Sequence, residues 1–313
     1  MLNENLLPPV ISIVCPCYNE EDVIELFLKE INIVLQDIGK TFEIIFINDG
    51  SEDNTLDTLL LAKKNYINIR IINLSRNFGK EAALTAGLDQ AKGEVVIPID
   101  VDLQDPPILI KDFISHWEQG SEVVLAKRVD RSTDSFLKRV SAKLFYKLNN
   151  KISKVSIPEN VGDYRLMTRK VLNSLKQLPE TERFMKGLFS WVGFKTSIVE
   201  YKRDARIAGE TNFSGWKLWN LALESITSFS TFPLKVWLYL GIIISLFSFF
   251  YGSVIIIKTI IFGISLPGYA STMTTILFLG GIQLIGIGVL GEYVGRIYIE
   301  SKNRPIYIIE SEY

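Results

Sequence analysis

The sequence predicts an α/β domain built on a parallel sheet, followed by two helices that cross a membrane. Three observations predict it. Five short apolar runs alternate with amphipathic segments in the first 210 or so residues. Four of those runs stop in clusters of polar and turn-forming residues. The last third then carries two long stretches almost without charge.

The runs Val10–Cys15, Phe42–Asn48, Ile69–Leu74, Val95–Ile99 and Glu122–Ala126 read as strands. Between them, Glu20–Ile38, Asp53–Asn65, Gly79–Ala91 and Pro107–Gln119 read as helices. This alternation makes βαβ units, whose parallel strands are buried on both faces. Ligands of such sheets lie beyond the carboxyl ends of the strands. Those ends read "CPCYNEE", "INDGSEDNT", "LSRNFGKE" and "DVDLQDPP" in chain order. Taken singly, Asn19, Ser51 and Asp53 are ordinary cap and turn residues. Four such loops converging on one sheet edge point to a site. The two cysteines, Cys15 and Cys17, are expected on opposite faces of the first strand, as core thiols of a reducing compartment. The only histidine, His116, falls on a predicted helix and adds no ligand to them.

A net charge of −1 and a pI near 6.1 exclude nucleic acid as the main partner. The N-terminus has no basic segment before an apolar one, so it does not read as a secretory signal and the first domain is expected in the cytoplasm. Lys127 to Lys154 carries nine Lys/Arg against two Asp. Phe136, Leu137, Val140, Leu144, Phe145 and Leu148 recur there at helical spacing. The plain reading is a solvated helix face; the sharper one is a surface for anionic headgroups or a phosphate.

Val236 to Ile257 is a stretch of 22 uncharged residues, and about 20 suffice to cross the hydrocarbon. A second uncharged stretch follows Lys258, and roughly Thr272 to Gly291 is long enough to span. Lys217, Lys235, Arg296, Lys302 and Arg304 flank the pair, which sets both ends in the cytoplasm. Gly215 to Phe232 reads as an interfacial helix, with Trp216, Trp219 and Trp237 at headgroup depth. The small residues of "GGIQLIGIGVLG" favour close helix packing, within one chain or in a homo-oligomer.

Asp100 and Asp102 stand two apart at the end of the fourth strand and share a face. Two such carboxylates repel unless a cation joins them. Mg²⁺ or Mn²⁺ suits them, and Gln104 extends the same alternation as a third ligand.

"PCYNEE", "NDGSEDNT", "LSRNFGKEAALTAG" and "DVDLQDPP", in this order, resemble inverting family 2 glycosyltransferases with a GT-A fold. "NVGDYRLMTRKV", "RFMKGLFSWVG" and "GEYVGRIYIESKNRPIY" narrow the resemblance to the polyprenyl-phosphate glycosyltransferases. These are the GtrB-type bactoprenol glucosyltransferases and the dolichol-phosphate-mannose synthases with membrane helices. The resemblance implies transfer of one sugar, glucose by the closer similarity, from a UDP-sugar to undecaprenyl phosphate. UDP-GlcNAc, UDP-Gal and GDP-Man are the alternative donors. It implies a GT-A domain over 1–210, an interfacial helix over 211–233, two spans over 234–295 and a cytoplasmic tail over 296–313, anchored in the inner membrane. It implies that Pro16, Tyr18, Glu20, Asp49, Asp100 and Arg206 hold the nucleotide sugar. Asp100, Asp102 and Gln104 would hold the metal, and Asp163 would stand with Asp102 at the reacting centre. Arg128, Arg131, Lys138 and Arg139 would bind the acceptor phosphate. Asn212 departs from the lysine that relatives commonly carry in this stretch, and Lys217 or Arg203 would have to replace it. Polysaccharide synthases share the strand-end motifs, but their Q-x-x-R-W element is missing from this sequence. A scaffold with a degenerate transferase domain is disfavoured by the intact "DVDLQD", and a transporter by two spans without intramembrane charge.

Overall fold

The structure is a computed structural model and describes residues 8–129, 158–202, 227, 230–263 and 268–313. The first half of the chain forms as the periodicity predicts. β1 (Ile11–Cys17), α1 (Ile24–Ile38), β2 (Phe42–Asn48), α2 (Thr55–Asn65), β3 (Ile69–Leu74), α3 (Lys80–Gln90), β4 (Val95–Pro98), α4 (Leu109–Glu118) and β5 (Val123–Arg128) follow in order. β6 (Val161–Thr168), α5 (Arg169–Leu175), α6 (Met185–Trp191) and β7 (Thr196–Tyr201) complete the domain. Two long helices, α7 (Phe232–Phe262) and α8 (Tyr269–Ser301), precede a last strand, β8 (Ile309–Glu312).

The eight strands lie in the order β7-β5-β6-β4-β1-β2-β3-β8. The sheet is mixed, which corrects the expectation of a wholly parallel one. β6 runs antiparallel between β4 and β5, and β8 runs antiparallel along β3. The reversal of β6 matters, because it places the strand's first residues, Val161 to Asp163, at the carboxyl edge of the parallel strands. β8 makes the last residues part of the sheet rather than a loose tail.

Two apolar layers cover the sheet. Ile24, Phe27, Leu28, Ile31 and Leu35 of α1 pack on one face with Phe113 of α4. Ala83, Leu84, Ala86 and Leu88 of α3 cover the other, with Leu172 of α5 and Leu188 of α6. Cys15 and Cys17 are both buried, free and on the same face, which corrects the expected opposite placement. Strand side chains repeat every two residues, so positions i and i+2 point the same way.

Both α7 and α8 are long and apolar enough to cross a membrane, and their side chains lie outside the protein core. They meet where Gly286 faces the Trp237 ring and where the Tyr293 hydroxyl donates to the Ser230 carbonyl at 2.6 Å. The end of α8 is tied to the sheet domain. Glu300 accepts the Thr181 N–H at 2.9 Å, the Thr181 hydroxyl at 3.0 Å and the Glu182 N–H at 3.3 Å. Arg296 bridges Glu182 and Glu292, each at 3.1 Å.

Small residues let α3 sit close to the sheet. A Cβ on Gly87 would lie 2.4 Å from Val14 Cγ1 and 2.5 Å from Ile47 Cδ1. Overpacking of this kind costs about 1–3 kcal/mol. Gly87→Ala is therefore expected to lower the thermal unfolding midpoint of the purified protein. An unchanged midpoint would contradict the close packing of α3 on β1 and β2.

Candidate active site

The carboxyl ends of β1, β2 and β4 and the start of α3 enclose a cleft of about 280 Å³. Its wall brings together Pro16, Tyr18, Glu20, Asp49, Asp100 and Asp102. The register explains this convergence. Cys17 pairs with Asn48 and Val14 with Pro98, so the residues just beyond those pairs share one edge.

Asp49 is almost fully buried and ties two loops together. Its Oδ1 accepts the Phe78 N–H at 2.7 Å and its Oδ2 the Gly79 N–H at 2.9 Å. Burial pushes its carboxyl up; the two N–H groups and Arg76 restrain the rise without cancelling it. Each oxygen keeps a second lone pair for a ligand. Gly79, at φ +96, makes the turn that lets its N–H point at Asp49 and starts α3.

Lys80 follows directly, and it is the residue that organises the acidic edge. Its Nζ lies 2.7 Å from Asp100 Oδ2 and 3.5 Å from Asp163 Oδ2. Burial works to lower its pKa, and the two carboxylates more than reverse that. Asp163 stands behind it on β6. Burial opposes ionisation there, yet Lys80, Lys186 and Arg165 together hold its carboxyl below the usual carboxylate range. Its Oδ1 is buried and has no hydrogen-bond partner among the described residues. Next to it, burial and then the Asp163 charge push Glu81 up to about 7, against the pull of the Met185 N–H at 3.3 Å.

Asp102 Oδ1 accepts the Gln104 N–H at 3.1 Å, closing a turn in which Leu103 holds φ +56. A branched residue in that region is strained, and such strain clusters at functional loops. Gln104 itself is buried and lies outside the cleft wall. Asp105 contacts the Tyr201 hydroxyl, and Tyr164 donates to the Pro106 carbonyl at 3.0 Å, so this end of the loop fixes the start of α4. Arg128 ends β5, with its N–H on the Asn160 carbonyl at 3.0 Å. Arg131, Lys138, Arg139 and Arg206 lie outside the described residues, as does Asn212.

Among the described residues no three His, Cys, Asp or Glu side chains cluster as a metal site. Mg²⁺ needs no such cluster, since one or two carboxylates suffice when water and substrate phosphates fill its shell. Asp100 and Asp102 on one wall fit that requirement, with Lys80 as the competing cation.

Lys80, Glu81, Arg165 and Lys186 join the site only in the folded chain. All four lie inside motifs that stand out for other residues: "RNFGKE", "GDYRLM" and "RFMKGL".

The family 2 glycosyl transferase profile matches residues 12–176, a stretch that spans the cleft and β6. The chain belongs to glycosyl transferase family 2. A second profile, the GtrB C-terminal hairpin, matches residues 232–297 of this glycosyltransferase. The bactoprenol glucosyl transferase of Shigella phage SfV is 56% identical over 96% of this chain and 98% of its own. The prophage bactoprenol glucosyl transferase homolog of Escherichia coli K12 is 56% identical over the same shares. The uncharacterized glycosyltransferase sll0501 of Synechocystis is 53% identical over 96% of this chain and 94% of its own. The family expected from the motifs is the family found, and its α/β domain with two apolar C-terminal helices is the fold observed.

The charge arrangement can be probed from both sides of Lys80. Lys80→Met removes the ammonium that occupies Asp100, so Mn²⁺ binding without nucleotide is expected to tighten several-fold, read by electron paramagnetic resonance of free Mn²⁺. Weaker binding would contradict the competition. Glu81 holds its proton in the fold up to about 7, against an ordinary value of 4.5. The folded state then binds the extra proton between those values, so stability falls as pH rises through that window. Glu81→Gln should flatten this fall in thermal melts across that same range, and an unaltered slope would assign it to another group.

Proposed function

We propose that this glycosyltransferase moves one glucosyl residue from UDP-glucose to a polyprenyl phosphate, with inversion at the anomeric carbon. The observation that carries the proposal is the near full-length similarity to bactoprenol glucosyl transferases, hairpin included. The cleft geometry supports the same reading. Pro16, Tyr18, Glu20 and Asp49 line one cleft, where they would hold the base and ribose; Arg206, outside the described residues, would bind the diphosphate. Asp100 and Asp102 face the donor diphosphate. A divalent cation bound there would neutralise the charge that the UDP leaving group gains. Gln104 would join only by leaving its buried position.

The acceptor is its own nucleophile. A phosphate monoester has a second pKa of about 6 and is largely dianionic at neutral pH. It needs no strong base. Asp163, held ionised by Lys80, suits a different role, in which its charge stabilises positive character at the anomeric carbon. The Lys80 ammonium, beside Asp100, would meet the charge that the leaving diphosphate gains, and Arg128, with Arg131, Lys138 and Arg139, gathers the acceptor phosphate. Fixed charges of this kind lower the barrier because they need no reorganisation during the reaction.

The division into a catalytic domain over 1–210, an interfacial segment over 211–233 and a hairpin over 234–295 fits this chemistry. So does a topology with the cleft and both hairpin ends on the cytoplasmic side, since Lys235, Arg296, Lys302 and Arg304 flank the spans. The proposal is tested by a screen of UDP- and GDP-sugars with purified protein and undecaprenyl phosphate, the lipid product identified by mass. UDP-glucose is expected to give a single glucosylated lipid phosphate. Transfer from GDP-mannose alone, or growth of a polymer, would overturn the proposal.

A further inference from the structure

A second concavity, of about 300 Å³, lies between β5, β7 and α6. Val123, Leu125, Val161, Phe189 and Ile198 give it apolar walls, and two cations, Arg165 and Lys186, line it. Arg165 is only 4% exposed. Its Nη2 donates to the Gly162 carbonyl at 2.6 Å and its Nε to the Asp163 carbonyl at 3.3 Å. Its guanidinium lies 4.0 Å from the centre of the Phe189 ring. Among the described residues no carboxylate comes within ion-pair distance of Arg165 or Lys186. The direct contacts of this buried guanidinium are carbonyls and a ring face, and the Asp163 carboxylate acts on it only from beyond ion-pair distance, so an anion that meets it directly is favoured.

The ligand that fits combines an anion with hydrocarbon. Resting on the transfer reaction proposed above, we infer that this groove seats the phosphate end of the acceptor lipid. Arg165 and Lys186 meet the phosphate there, and the first isoprene units lie against the apolar wall. The location suits that role. The Asp163 carboxylate meets Lys80 of the donor cleft, and the Asp163 carbonyl meets Arg165 of the groove. One residue therefore joins the two concavities. Arg128 stands at the rim, bonded through its N–H to Asn160, next to Val161. An acceptor phosphate captured at the rim would move inward to the buried pair, beside the reacting centre.

The experiment uses the full chain in detergent with farnesyl phosphate, farnesol, inorganic phosphate and UDP as probes, read by calorimetry. Two variants are compared with the parent: Lys186→Gln removes one cation, and Ser190→Trp fills the groove from α6. Losing a charge-assisted contact costs about 1.5–3 kcal/mol, or about 10–100-fold in affinity. Each variant is expected to weaken farnesyl phosphate by at least about tenfold, while UDP affinity and the melting midpoint of Ser190→Trp stay put. Lys186→Arg should restore binding. Unchanged farnesyl phosphate affinity in both variants would overturn the inference. So would equal binding of inorganic phosphate and farnesyl phosphate, which would mark a free-phosphate site, and equal binding of farnesol, which would mark a purely apolar one. If the variants lose farnesyl phosphate but the parent glucosylates no polyprenyl phosphate, the groove stands and the transfer reaction falls.

Discussion

Acidic side chains from two strands reach one sheet edge, and one ammonium group touches both of them. Lys80 lies between Asp100, beyond β4, and Asp163, on β6. Much of the fold serves that contact. The glycine at 87 lets α3 approach the sheet, which sets the depth of Lys80. Asp49 holds the N–H groups of Phe78 and Gly79, which sets where α3 begins. The reversal of β6 brings Asp163 to the carboxyl edge, although the parallel strands around it end there. Removing the ammonium would leave the partly buried carboxylates without their nearest counter-charge, and such groups respond by taking up protons.

The apolar hairpin is mechanically joined to the same centre. Glu300, at the end of α8, caps the Thr181 and Glu182 N–H groups. That segment runs directly into α6, whose first N–H is bonded to Glu81, the neighbour of Lys80. The chain then returns through β8 to pair with β3, so α8 is held to the domain on both sides of its last turn. In the proposed reaction, a lipid acceptor gives a reason to fix the cleft to two apolar helices rather than tether it loosely. The reacting phosphate would sit at headgroup height, and the hairpin would hold the cleft at that height.

The first half of the fold was legible because its strands are uninterrupted apolar runs and its helices show a clear stripe. All five expected strands formed within about two residues of their expected ends. β6 was not legible as a strand. Its "VGDYRLMT" carries Asp163 and Arg165 among largely buried positions, where a sheet pattern predicts apolar residues. The charges that spoil the pattern are those that meet Lys80 and line the candidate site. β8 was hidden for another reason. A four-residue edge strand carries too little periodicity to separate from a tail. Of the cleft, Pro16, Tyr18, Glu20, Asp49, Asp100 and Asp102 were legible, because each follows an expected strand end. Lys80 was not, because a lysine at a helix start reads as solvated until the structure sets two carboxylates around it.

The contact between Lys80 and Asp163 is tested most directly by the ionisation of Asp163. Carbon-13 carboxyl resonances of labelled protein, followed through an acid titration, report it without any substrate. Asp163 is expected to titrate below an ordinary aspartate, and Lys80→Met is expected to shift it upward while the fold survives. A titration at or above the ordinary range in the parent protein, unmoved by Lys80→Met, would contradict the place of this ion pair at the centre of the site.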